Sequence, residues 1–170
     1  RHRSLFLIVG DYDRDQVANL HYMLSQSRQR ARPSVLWCYK SELGFSSNKQ
    51  KRADKIKKHM RQGTRTKNLD DPFEMFLSST DITYTYYKET ENVLGRTFGM
   101  VVLQDFQSLT PNIIARTLET VEGGGIIVIL LKSVTSLQQI VTMNMDAHHA
   151  YKNSSFHDLS GRFNYRFLLS

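Results

Sequence analysis

Short apolar runs alternate with amphipathic stretches along almost the whole chain. Residues 4–10 (SLFLIVG) form a continuous apolar run closed by glycine, the pattern of a strand buried on both faces. Asp11 or Asp13 is placed to cap the helix that follows, in which Val17, Leu20, His21 and Leu24 share a face with Met23 beside them. After Pro33, residues 34–39 (SVLWCY) read as a second buried strand. Residues 70–77 (DDPFEMFL) restart a helix, with Pro72 suited to its first turn. β-branched and aromatic residues predict a strand over 82–87 (ITYTYY), and 98–104 (FGMVVLQ) predict another. Thr110-Pro111 opens a helix whose buried face is spaced by Ile114, Leu118 and Val121. Gly123, Gly124 and Gly125 then break that helix ahead of the most apolar strand, 126–131 (IIVILL). Ser136 and Gln139 match a capping box, and Phe163 and Phe167 stand at helical spacing in the tail.

Apolar strands alternating with amphipathic helices predict an α/β domain of three layers, a mainly parallel sheet covered on both sides. The length of 170 residues suits one domain over 1–170, able to bury about 70% of the unfolded chain's surface without staples. Hydrophobic residues at 40% and charged residues at 23% are ordinary globular proportions. The single cysteine excludes an internal disulfide framework and a cysteine-rich zinc site. No apolar run approaches the ~20 residues that span a bilayer, so no membrane role is expected. The chain begins at Arg1 without methionine and soon enters strand-like sequence, which reads as a piece of a longer polypeptide.

Charge changes this picture at one place. The formal net charge is +7, yet between positions 49 and 67 stand Lys49, Lys51, Arg52, Lys55, Lys57, Lys58, Arg61, Arg65 and Lys67 against Asp54 alone. The rest of the chain is close to neutral. Ala53, Ile56 and Met60 offer only a thin apolar stripe before Gly63, so residues 47–68 read as a basic, mobile insertion. A solvated helix face intersperses both signs, whereas this stretch tolerates its own repulsion and points to a polyanion or a targeting receptor. RNA contact, nuclear or nucleolar targeting, and docking on an acidic protein all fit. The lack of interleaved aromatics favours contact with the nucleic-acid backbone over base reading. Arg14, Arg28, Arg30 and Arg32 are candidates to extend that surface.

Ligands of parallel sheets sit beyond the carboxyl ends of the strands, and those ends carry little recognisable chemistry here. The turn after the first strand, GDYDRD from Gly10, has one glycine and three aspartates, the opposite of a phosphate-cradling P-loop. The sheet is therefore expected to be Rossmann/RecA-like without a P-loop. Asp105 ends an apolar strand in the manner of a magnesium-holding carboxylate, but lacks its partner loop and reads better as a strand terminator. Gly123–Gly125 precede a strand rather than a helix, the wrong order for an anion site. Asp146, His148, His149 and His157 match no closed zinc motif. His21 reads as a core histidine and Cys38 as a buried inert thiol. No catalytic or metal residue is assigned.

Six stretches together resemble the N-terminal domain of the RNA cytidine acetyltransferases in their eukaryotic nucleolar form. They are RSLFLIVGD from Arg3, RPSVLWCYKSELGFSSNKQKR from Arg32, DDPFEMF from Asp70, FGMVVLQDF from Phe98, LTPNIIARTLETVEGGGIIVILL from Leu109 and GRFNYRFLLS from Gly161. They cover most of the chain in the family's order. The resemblance implies a protein that makes N4-acetylcytidine in small-subunit (18S) ribosomal RNA and, with an adaptor protein, in certain tRNAs. It implies acetyl-CoA as donor, ATP and Mg in a helicase-like module, action among small-subunit pre-ribosome proteins, and a nucleolar location within the nucleus. It is also compatible with a homodimer of the full-length protein.

In that family the P-loop, the acetyltransferase domain and the tRNA-binding tail all follow this first domain, which packs on the ATPase module. No catalytic or cofactor residue is therefore carried over, and none is expected in this chain. The leading expectation is a non-catalytic domain that supports RNA docking through the nine cations. The alternative is a protein-interaction scaffold whose basic segment is a nucleolar address. A third reading, an autonomous NTPase around Asp105, lacks its glycine-lysine loop.

Overall fold

The computed structural model describes residues 2–10, 13–27, 32–43, 45, 72–132, 134, 136–143, 145–146 and 162–169. Five strands are formed: β1 (Ser4–Val9), β2 (Val35–Tyr39), β3 (Ile82–Tyr86), β4 (Phe98–Leu103) and β5 (Val121–Leu131). They make one sheet in the order β1-β5-β4-β2-β3, with every pairing parallel. The helices are α1 (Asp13–Gln26), α2 (Pro72–Ser79), α3 (Pro111–Leu118), α4 (Leu137–Thr142) and α5 (Arg162–Leu169), with 3-10 turns at Tyr87–Val93 and Phe106–Ser108. The expected three-layer α/β architecture is present.

Strand alternation sorts the core into two layers. Val35 and Trp37 of β2, Met100 and Val102 of β4 and Val128 of β5 face α1 and α2, which contribute Val17, Leu24, Phe73, Phe76 and Leu77. Leu36, Val101, Leu103, Ile127 and Ile129 point the other way, onto the Tyr87–Val93 turn, α3, α4 and α5. Connections leading toward β3 thus run over one face, and those leading back toward β5 over the other. β2 and β4 are neighbours whose chains depart to opposite faces, which opens a crevice between their carboxyl ends.

Local chemistry explains the helix boundaries. Thr110 caps α3 by accepting from the Ile113 N–H at 3.3 Å, and Pro111 occupies the first turn. Ile113 and Thr117 are the buried pair of α3, Ile114 and Leu118 are partly buried, and Val121 already belongs to β5. Phe163 and Phe167 pack on the core from α5, as their spacing predicts. Ser136 does stand at the N-cap of α4, but makes no side-chain cap bond, so the expected capping box is not formed. Among the described residues no helix is long and apolar enough to cross a membrane.

Two expectations are corrected. Gly123, Gly124 and Gly125 do not end a helix; they lie inside β5, beside a register irregularity between Phe98 and Met100 of β4. Helix α3 has already stopped at Leu118; Gly124 takes a positive φ of 84°, and Gly125 permits close backbone approach. A Cβ on Gly125 would stand 2.6 Å from the Gly99 carbonyl oxygen, and one on Gly99 only 2.4 Å from Pro33 Cβ. The second correction concerns β1, expected to be buried on both faces. It is an edge strand, because β5 inserts between it and β4. Leu5 is 50% exposed, Phe6 39%, Leu7 41% and Val9 52%. Its composition is that of a central strand, and its position is not.

Candidate functional site

The crevice between β2 and β4 is built by a chain of hydrogen bonds that starts in the core. Trp37 is fully buried and donates its indole N–H to Gln104 Oε1 at 3.1 Å. Gln104 donates from Nε2 to the Glu42 carbonyl at 2.8 Å and, at 3.5 Å, to Asp105 Oδ1. The Gln104 carbonyl accepts from the buried Tyr87 hydroxyl, and its N–H donates to the Cys38 carbonyl at 2.9 Å. This network holds Asp105 in a left-handed conformation, φ 58° and ψ 64°, a rare position for a residue other than glycine. The Lys40 backbone N–H donates to Asp105 Oδ2 at 3.0 Å. Asp105 therefore joins the first residue after β2 to the first turn after β4.

Beside it lies a cleft of about 230 Å³ lined by Lys40, Asp105, Phe106, Ser108, Leu131 and Lys132, among others. Asp146 reaches its rim. Lys40 Nζ lies 2.7 Å from Asp146 Oδ2, and Ser108 Oγ donates to the same oxygen. Lys40 and Asp146 thus compensate each other at the cleft. Both Asp105 oxygens accept from N–H donors, as a strand terminator's do. The Ser108 hydroxyl donates its hydrogen bond to the Asp146 carboxylate, which ties it into the Lys40–Asp146 pair. Among the described residues no group of three His, Cys, Asp or Glu is arranged to hold a metal ion. His148, His149 and His157 lie outside the described residues.

The remaining reactive side chains are tied into packing. His21 is buried, donates from Nε2 to the Pro33 carbonyl at 3.0 Å and meets Phe76 edge-on at 5.0 Å. Burial, aided by the Arg32 charge, holds its imidazole below the ordinary pKa despite that hydrogen bond. Burial pushes the Cys38 thiol up to about 12, which leaves it inert at neutral pH. Both residues are the core groups that their positions in the sequence suggest.

The nine cations, Lys49, Lys51, Arg52, Lys55, Lys57, Lys58, Arg61, Arg65 and Lys67, lie outside the described residues, as do Arg28 and Arg30. Their two flanks are described. Phe45 on the upstream side and Phe73 on the downstream side meet edge-to-face at 5.3 Å, and both pack on Trp37, at 5.3 and 6.2 Å. The Arg14 guanidinium lies over the same two rings, 5.4 Å from Phe45 and 6.0 Å from Phe73. The flanks of the basic stretch therefore meet at one closed point above the α1/α2 layer. Arg14 is part of that closure, while Arg32 borders the groove between α1 and α2. Sequence reasoning missed the Phe45–Phe73 closure, although both phenylalanines flank the basic run and were the available signal.

Comparison with known proteins bears on the whole chain. Residues 1–170 match the family model described as tRNA(Met) cytidine acetyltransferase TmcA, N-terminal. The chain is 57% identical over 170 residues to an RNA cytidine acetyltransferase of Mus musculus and 56% identical to that of Homo sapiens. It is 57% identical over 171 residues to that of Schizosaccharomyces pombe. Each match takes in all of this chain and 17% of the relative.

Proposed function

Because the chain belongs to the family of the TmcA cytidine acetyltransferase N-terminal domain, we propose that residues 1–170 act as one positioning domain of an RNA cytidine acetyltransferase. The complete polypeptide forms N4-acetylcytidine in 18S ribosomal RNA and in tRNA, the latter with an adaptor protein. It works in the nucleolus during assembly of the small ribosomal subunit. This domain braces the helicase-like module and brings RNA to the enzyme through the nine cations.

The observation that carries the reading is the placement of the basic stretch between Phe45 and Phe73. Nine cations in one short run of an otherwise nearly neutral chain, between two flanks that meet at Phe45 and Phe73, concentrate charge locally. Such a field acts on the phosphate backbone of a nucleic acid rather than on its bases. In an enzyme, such contact holds the substrate where the acetyl group is delivered, so that reaction is no longer a chance encounter.

Acetyl-CoA would supply the acetyl group, and ATP with Mg would drive the helicase-like module. The described residues offer neither group a built site. The first strand's turn has no run of glycines, Asp105 accepts from main-chain and side-chain N–H groups, and Lys40 at the cleft already pairs with Asp146. Chemistry belongs to the remainder of the polypeptide.

The test is a salt titration of the full-length protein binding a structured ribosomal RNA segment, with and without glutamine at Lys49, Lys51, Arg52, Lys55, Lys57, Lys58 and Arg61. For every phosphate left without its cation, the log–log slope should flatten by roughly 0.7–0.9 and binding at low salt should weaken. Equal affinities and slopes would remove the RNA role. If the variant then fails to accumulate in nucleoli, the stretch is an address, and the scaffold reading replaces docking.

A further inference from the structure

The β1 edge has the sequence of a buried strand without the burial. In the parallel register Leu5, Leu7 and Val9 share a face with Ile127, Ile129 and Leu131, and Phe6 and Ile8 share the other with Val128 and Leu130. Their β5 partners are almost fully buried, while Leu5, Phe6, Leu7 and Val9 are 39–52% exposed. The backbone is open as well. The Gly10 N–H donates to the Leu131 carbonyl at 3.1 Å, and in a parallel strand alternate residues bond to alternate sides. Phe6 and Ile8 thus turn their N–H and C=O groups to β5. Leu5, Leu7 and Val9 turn theirs outward, and among the described residues no strand receives them.

We propose that this edge seats a strand of the same polypeptide, contributed by the portion that follows residue 170 and carrying its own helical cover. The inference rests on the reading of the chain as the N-terminal part of a longer enzyme, whose matched relatives have most of their length outside this structure. Three observations select that occupant. An apolar edge open on both faces is an aggregation hazard and calls for permanent cover. A tethered segment meets it at a high effective concentration, whatever the protein concentration. A second copy pairing β1 to β1 about a two-fold axis would satisfy the outward amides, yet set two uncovered rows of Leu5, Leu7 and Val9 side by side. Only an occupant bringing a layer of its own buries them.

Two measurements on the full-length protein test this. In one, Leu7→p-benzoylphenylalanine and, separately, Val9→p-benzoylphenylalanine are irradiated and the crosslinked peptides mapped. The expected product joins residue 7 or 9 to a residue of the same chain beyond 170. A crosslink to a second copy or to another protein, or no crosslink at either position, overturns the proposal. In the other, site-resolved hydrogen exchange compares the unsubstituted protein's outward amides of Leu5, Leu7 and Val9 with the inward amides of Phe6 and Ile8. Protection within about tenfold of the inward set is expected for a paired edge. Free exchange of the outward set overturns it. RNA acetylation measured on the same samples reports separately on the proposed function, so an inactive protein with the crosslink, or an active one without it, tells the two ideas apart.

Discussion

The crevice between β2 and β4 and the open edge of β1 reverse each other's appearance. The crevice has a cleft, two carboxylates, two lysines and a left-handed aspartate, yet Asp105, Asp146 and Lys40 all find partners within the chain. The β1 edge has only aliphatic and phenylalanine side chains, the material of a core, and those are left in solvent. Most of this strained, polar pocket is thus explained as architecture. The unfinished part of the molecule is apolar. Buried polar groups demand satisfaction inside the fold, whereas apolar surface waits for whatever covers it.

That contrast can be broken most forcefully by one substitution made in both places. Leu36→Ala, in the fully buried centre of β2, should cost about 2–5 kcal/mol in denaturant unfolding. Leu7→Ala should cost no more than about 1 kcal/mol in the 1–170 chain, since that side chain is already 41% exposed. In the full-length protein the two losses should converge if β1 is covered there. Equal losses in the short chain would show that β1 is core after all.

Next in size is the crevice network. Gln104→Ala leaves the Trp37 indole N–H without its acceptor and should destabilise by about 1–3 kcal/mol, read from the same unfolding curves. A neutral result would mean that the crevice is not self-satisfied in the way described.

A smaller effect follows from His21. Burial holds its folded pKa below the ordinary 6.5, so as pH falls below 6.5 the unfolded chain takes up a proton that the folded chain resists. Stability should therefore be intact above that pH and decline below it, and His21→Gln should flatten the decline. Unfolding midpoints measured from pH 7.5 to pH 5 check this. The smallest change is expected for Asp146→Asn. Its ion pair with Lys40 is half-exposed and worth at most about 1 kcal/mol, less in high salt.

Much of the fold could be read from the chain because its elements announce themselves locally. Thr110-Pro111 is a cap and a first turn wherever it occurs, and Phe163 with Phe167 keeps helical spacing whatever it packs on. What escaped is non-local. Nothing in SLFLIVG distinguishes an edge strand from a central one, since that depends on β5, more than a hundred residues away, inserting beside it. Three glycines between a helix and a strand read as a stop. The close approach of Gly125 to Gly99 depends on a strand that the sequence alone does not bring alongside. Asp105 was legible as a strand end, but its donors come from Lys40 and Gln104, and the first is a tertiary neighbour. The basic run was obvious from charge. Its anchorage was not, because edge-to-face contact between Phe45 and Phe73 leaves no periodicity to detect.

The burial of Cys38 gives the chain a clock of its own. It is the only cysteine of the 170 residues, is buried near the carboxyl end of the interior strand β2, and has a thiol whose ionisation is suppressed. A thiol-directed dye can reach it only during the moments when β2 parts from its neighbours. Labelling at neutral pH therefore counts those openings without denaturant, at concentrations far below those of a calorimeter. Repeated on variants, in the presence of RNA or after rejoining the rest of the polypeptide, the same single sulfur would report how often the middle of the sheet comes apart.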